Sequence, residues 1–150
     1  MTYPDAAFLA INLSVLPAWA LLVLLPNAQL TKAVVHSGLY TLGLGLFYSI
    51  QMGLVLFGGL GDPEAGLTSI DAIGAFFRSP VGVLAGWSHY LVFDLFVGAW
   101  IGRDGAKRGI PHLFTAPSML LAFVFGPVGL FVYLIGRALM KKGGWHLDPT

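Results

Sequence analysis

Four long apolar runs dominate this chain: Ala6–Leu25, Ala33–Leu60, Pro80–Gly102 and Leu113–Met140. Each is near or above the roughly 20 residues a helix needs to cross a bilayer core. Apolar residues make up 57% of the 150 residues and charged residues only 10%, whereas soluble domains carry about 25% charged residues. A chain of this size cannot hide that much apolar surface in its own interior, because small domains leave much of their surface in solvent. Lipid is therefore the expected solvent. Leucine, alanine and glycine prevail and no run alternates with period two, so helices are expected and a barrel is not. The expected fold is an all-α polytopic membrane protein forming a single four-helix domain over residues 1–150.

The intervening stretches add detail. Ser69 is a candidate N-cap for a short amphipathic helix over residues 69–78, expected to lie in the interface between spans two and three. Arg103–His112 reads as a charged, solvated loop, and residues 141–150 as a wet tail. The first run begins near Met1 with no basic segment before it and is read as a retained span. Four crossings put both termini on one side, with Arg78, Arg137, Lys141 and Lys142; the opposite side carries Lys32, Arg103, Lys107 and Arg108. The Lys/Arg rule then returns a tie, so orientation stays open.

Several classes drop out. A net charge of +1 offers no basic face for nucleic acid. The absence of cysteine excludes disulfides, thiolate metal sites and a cysteine nucleophile. The alternating glycines near Gly43 and Gly45 follow no strand, so dinucleotide binding is rejected. No metal or organic cofactor is expected.

Inside the third run stand His89 and Asp94. Placing an aspartate near the bilayer centre costs about 2.5–3.5 kcal/mol on insertion scales, so such a residue faces a bundle interior, a partner or a cavity. Five residues apart on a helix, the two lie about 140° apart and define two stripes. Trp87, Tyr90, Asp94 and Gly98 share one; His89, Phe93, Phe96 and Trp100 share the other. Span two offers a polar face of His36, Tyr40, Phe47 and Gln51. No Lys or Arg falls deep in any run, so Asp94 is expected to be neutral or hydrogen-bonded to Tyr, Asn, Gln or His. Interhelical glue is the alternative for Asp94, while the aromatic stripes are more simply packing or interfacial belts than a pigment box.

The order Trp87-x-His89-x4-Asp94-Leu95-Phe96, then Asp104-Gly105, then Ser118 and Phe125-Gly126-Pro127-x-Gly129, resembles the neoxanthin-synthase-like family, small membrane proteins of the abscisic-acid-deficient type. Ala99 stands where the family pattern carries arginine. The resemblance implies a four-span protein of carotenoid metabolism, tied to converting an epoxide end group into an allene without redox change. Asp94 and His89 then suit general acid and base. Tyr90, Gln51 and Tyr40 would position the substrate, with Trp87, Phe93 and Phe96 lining its path. The expected partners are membrane lipid and a carotenoid or similar polyene, and the expected site is a bacterial inner or intracytoplasmic membrane. A non-catalytic pigment- or lipid-binding subunit of a larger, for example photosynthetic, complex is the competing reading; a small proton-coupled transporter is a third.

Overall fold

The computed structural model describes residues 2–147, and every regular element among them is helical. The expected all-α class holds. The end of the expected wet tail, from Asp148 on, lies outside the described residues.

Helix α1 is Tyr3–Leu24. Thr2 and Asp5 start it: the Asp5 carboxylate accepts from the Thr2 backbone N–H at 3.1 Å and from its hydroxyl at 2.6 Å, a carboxylate reaching back across the first turn. Helix α2, Gln29–Thr31, runs into a π-helical turn at Lys32–His36. Gly38 then takes φ +85°, a conformation natural only to glycine, and α3 follows over Leu39–Leu56. That break interrupts the polar face expected from His36 to Gln51. Helix α4, Ile70–Phe76, is capped as expected by Ser69, whose hydroxyl accepts from the Ala72 N–H at 3.1 Å. Helix α5 is Pro80–Lys107. Proline suits a first helical position because its missing N–H would go unpaired there anyway. The helix runs five residues past the expected end and carries Arg103, Asp104 and Lys107 with it, so the first half of the expected charged loop is helical.

Three stretches are long and apolar enough to cross a membrane: Tyr3–Leu24, Gln29–Leu56 and Pro80–Lys107. The expected fourth span is corrected, and with it the four-helix bundle. Residues 113–140 form two helices, α6 (His112–Phe125, 14 residues) and α7 (Pro127–Leu139, 13 residues). At about 1.5 Å per residue each reaches roughly 20 Å, short of the roughly 30 Å of hydrocarbon. The reason sits at Gly126-Pro127. Gly126 takes φ +48°, where a side chain is strained, and its N–H closes α6 by donating to the Ala122 carbonyl at 2.9 Å. Pro127 has no N–H with which to continue the α6 ladder, but it starts a new helix well.

The two short helices fold back on each other. Gly129 lies against the backbone of Ala122 and Ser118, and Gly136 against the Phe114 ring; Phe114 and Tyr133 stack with centroids 6.4 Å apart. Residues 7 apart meet near the turn and residues 22 apart meet near the open end, which only an antiparallel hairpin allows. Glycine at both contacts is what close helix approach requires.

Close contacts divide the chain into two units. One holds residues up to Ser14 with Leu42–Val92; the other holds Val15–Thr41 and residues from Phe93 on. The first buries Ile11, Leu44, Val81, Leu84 and Leu91. The second buries Ala18, Leu22, Leu95, Ile101 and Met119, with Gly98 receiving the Trp19 ring. Outward, Leu42, Leu46 and Phe131 are 72%, 62% and 64% exposed. Apolar surface of this kind suits lipid and not water.

Candidate functional site

In the first unit the expected residues fall into three separate sets of contacts. The Trp87 indole N–H donates to Asn12 Oδ1 at 3.1 Å, and Asn12 in turn donates to the Phe8 carbonyl at 2.7 Å. Tyr90 stacks on Trp87 with centroids 5.2 Å apart. Gln51 is buried, and its amide donates to the Tyr3 hydroxyl at 2.9 Å. His89 is exposed, its ring tilted against Tyr48 at 5.7 Å. Their partners are Asn12, Phe8, Tyr3 and Tyr48, which sequence periodicity did not single out together.

In the second unit Asp94 is 6% exposed and lies directly against the hairpin turn. A Cβ added at Gly126 would strike Asp94 Oδ1. Glycine is thus needed there twice, for its positive φ and for room beside the carboxylate. Phe93 and Phe96, 55% and 50% exposed, face outward, and Tyr40 is half-buried near the start of α3.

Also in this unit is a polar centre that the sequence reading assigned to solvent. Asp104 is 1% exposed and Arg137 fully buried. Asp104 accepts from the Tyr133 hydroxyl at 2.6 Å, from Arg137 Nη1 at 2.8 Å and from Arg108 Nε at 2.8 Å. Arg137 Nη2 also donates to the carbonyls of Gly144 and His146 at 2.6 and 2.7 Å, and its guanidinium lies 5.7 Å from the centre of the Trp100 ring. The expected solvated loop at Asp104 is therefore corrected, and Arg137, near the end of its run, is a cation buried within the protein. The local signal for it was present: Asp104 with Arg108, and Tyr133 with Arg137, are each four apart, the spacing that puts two side chains on one helix face. Three charge-assisted bonds satisfy a carboxylate whose burial would otherwise be very costly. The centre fastens the end of α5 to the open end of the hairpin and draws the backbone at 144–146 onto it.

Among the described residues no three His, Asp or Glu side chains gather where they could hold a metal. Outside the long helices, Arg78 clamps the loop before α4, with Nε 2.8 Å from Asp62 and Nη2 2.6 Å from Glu64. The hydrogen bond from Arg78 holds the Asp62 carboxyl below its ordinary range.

The described residues form an all-helical protein with three helices long and apolar enough to cross a membrane, a short helical hairpin and a carboxylate buried at the hairpin turn. The chain belongs to the ABA DEFICIENT 4-like family, whose model matches residues 6–133. It is 27% identical over 138 residues to Protein ABA DEFICIENT 4, chloroplastic, of Arabidopsis thaliana. That alignment takes in 86% of this chain and 59% of the relative, so the chain spans a little over half of the relative's length. No solved structure matches. The resemblance read from residues 87–129 is thereby shown, and the family is one linked to carotenoid and neoxanthin biosynthesis.

Proposed function

We propose that this protein works in the membrane on a carotenoid or similar polyene, rearranging an oxygenated end group by proton transfer through Asp94. One observation carries the reading: a carboxylate in the apolar middle of α5, 6% exposed and packed on Gly126. Intramembrane carboxylates are costly and are typically tied to a function, and the family link supplies the substrate class. In the reaction Asp94 gives its proton to an epoxide oxygen as the ring C–O bond breaks. The carboxylate so formed takes a proton from the adjacent polyene carbon, leaving a hydroxyl and an allene. Atoms balance, no electrons are exchanged, and Asp94 returns to its starting state. Because His89 is exposed beside Tyr48, we give both proton steps to Asp94 and assign His89, with Phe93 and Phe96, to contact with the polyene or surrounding lipid.

The same reading gives three crossings by α1, α3 and α5, while the α6–α7 hairpin dips in and returns to the side it left. Three crossings put the termini on opposite sides, and the charge tie disappears. Of the eight Lys and Arg residues, Arg78 alone falls on the N-terminal side. Lys32, Arg103, Lys107, Arg108, Arg137, Lys141 and Lys142 fall on the other. The positive-inside rule then orients the C-terminal end toward the side from which the chain is inserted.

The test is expression in a host that makes epoxy-carotenoids, comparing empty vector, wild type and Asp94→Asn. Conversion by wild type and its loss in the variant support the reading. A wild type that changes no pigment overturns the enzymatic reading, and if it co-purifies with a polyene the pigment-binding reading takes its place.

A further inference from the structure

The π-helical turn Lys32–His36 packs beside α5 where Gly102 leaves its surface bare. Between them lies a cleft of about 330 Å³ lined by Pro26, Asn27, Lys32, His36, Gly102 and Arg103, among others. π-turns are rare and are frequent at functional sites. We infer that this cleft binds the phosphate of an anionic headgroup, with Lys32 and Arg103 as the cationic partners; the inference rests on the membrane reading above.

Charge is the first argument. The cleft holds two cations, an imidazole and an amide, and no carboxylate lines it. Among the described residues, Arg78, Arg108 and Arg137 each pair with a carboxylate, while neither Lys32 nor Arg103 does. The carboxylate next along α5, Asp104, is turned inward and taken up by three donors. Among the described residues, the positive charge of the cleft is left without a paired carboxylate.

Geometry is the second. Arg103 Nη1 lies 3.2 Å from His36 Nδ1. Arginine can only donate, so Nδ1 accepts and the imidazole steadies the guanidinium. A guanidinium held by one nitrogen still offers other N–H groups in the planar fork that matches phosphate oxygens two at a time. Lys32 supplies a second, mobile cation. Gly102 lines the cleft, and Met119, His36 and Leu22 pack within 4.0 Å of where its side chain would begin.

The phosphate can come from a lipid headgroup or from a free anion, and the experiment separates them. The full chain, purified in a neutral detergent, is melted with short-chain phosphatidylglycerol, with phosphatidylcholine of the same chains, or with inorganic phosphate at matched ionic strength. Phosphatidylglycerol is expected to raise Tm by roughly 4 °C near saturation, phosphatidylcholine to leave it unchanged, and the Lys32→Gln/Arg103→Gln variant to lose the shift. A rise with phosphatidylglycerol alone assigns the lipid; an equal rise with inorganic phosphate assigns a free anion. Ala106→Leu, at an exposed and uncharged residue that also lines the cleft, is expected to lose the shift as well and serves if the double variant does not fold. No difference between the two lipids together with no effect of phosphate, or a full shift in either variant, overturns the site. Pigment conversion is followed in parallel and is expected to be unchanged in Lys32→Gln/Arg103→Gln. A wild type that converts pigment but shows neither headgroup selectivity nor a response to inorganic phosphate refutes the cleft alone.

Discussion

Removing Arg137 tests whether the centre around Asp104 is buried and coupled. Arg137→Met keeps the apolar stem and deletes the guanidinium. Asp104 then keeps its bonds from Tyr133 and Arg108 but loses the 2.8 Å contact to Nη1, and the carbonyls of Gly144 and His146 lose their shared donor. Breaking a buried pair from one side costs about 3–5 kcal/mol, whereas an exposed pair costs about 0–1 kcal/mol. At about 1.4 kcal/mol per factor of ten, the folding constant should fall by two to three and a half orders of magnitude. The assay is reversible unfolding in mixed micelles for wild type, Arg137→Met, Asp104→Asn and the double variant. Because the two groups touch, the double variant should cost less than the sum of the singles by at least about 1 kcal/mol. Single costs below about 1 kcal/mol with coupling near zero would return Asp104 to a solvated loop and refute the buried network.

Gly126→Ala should destabilise by about 2–6 kcal/mol, combining backbone strain at positive φ with displacement of the Asp94 carboxylate, and should lower pigment conversion; an unfolding curve matching wild type would refute the packing of Asp94 on the turn. The chain has no cysteine, so single cysteines at Thr2 and Lys142 can be labelled from one side of a sealed vesicle at a time. Opposite sides are expected, and the same side would restore four crossings. The Asp62 carboxyl is held below its ordinary range and the Arg78 guanidinium above its own. The clamp's contribution is therefore complete above about pH 4, the usual carboxylate value, and is lost as the pH falls through the lower folded value. Protease nicking between Gly58 and Thr68 should be flat above about pH 5 and rise below about pH 4; a rise near neutrality would assign the loop's order to another group.

Composition and hydropathy made the helical class and three of the four long segments legible, because an apolar run of membrane length has few other solutions. Ser69 was legible as a cap because the hydroxyl acts on its own first turn. The hairpin was not, although Gly126-Pro127 is a turn signal in its own right; hydropathy runs on across the turn, and an average over the run cannot register one glycine at positive φ. Arg137 was missed for a different reason. Its partner Asp104 lies 33 residues away, and a cation near the end of an apolar run looks the same whether it reaches water or turns inward. Asp94 stood out because the cost of a carboxylate in hydrocarbon shows at a single position. That it rests on Gly126 depends on the fold of a segment 32 residues further on. His89 stood out by the same reasoning, yet it lies on the exposed face of α5, where an imidazole can be neutral at little cost.

The most direct measurement is the rate at which purified protein in lipid vesicles converts an epoxy-carotenoid, compared between wild type and the isosteric Asp94→Asn. General acid–base catalysis contributes roughly 10²–10⁴-fold, so the variant should lose at least about a hundredfold in rate while keeping its helical content and its Tm. A variant that converts the pigment at the wild-type rate would contradict the account, because the group buried at the turn would then transfer no proton.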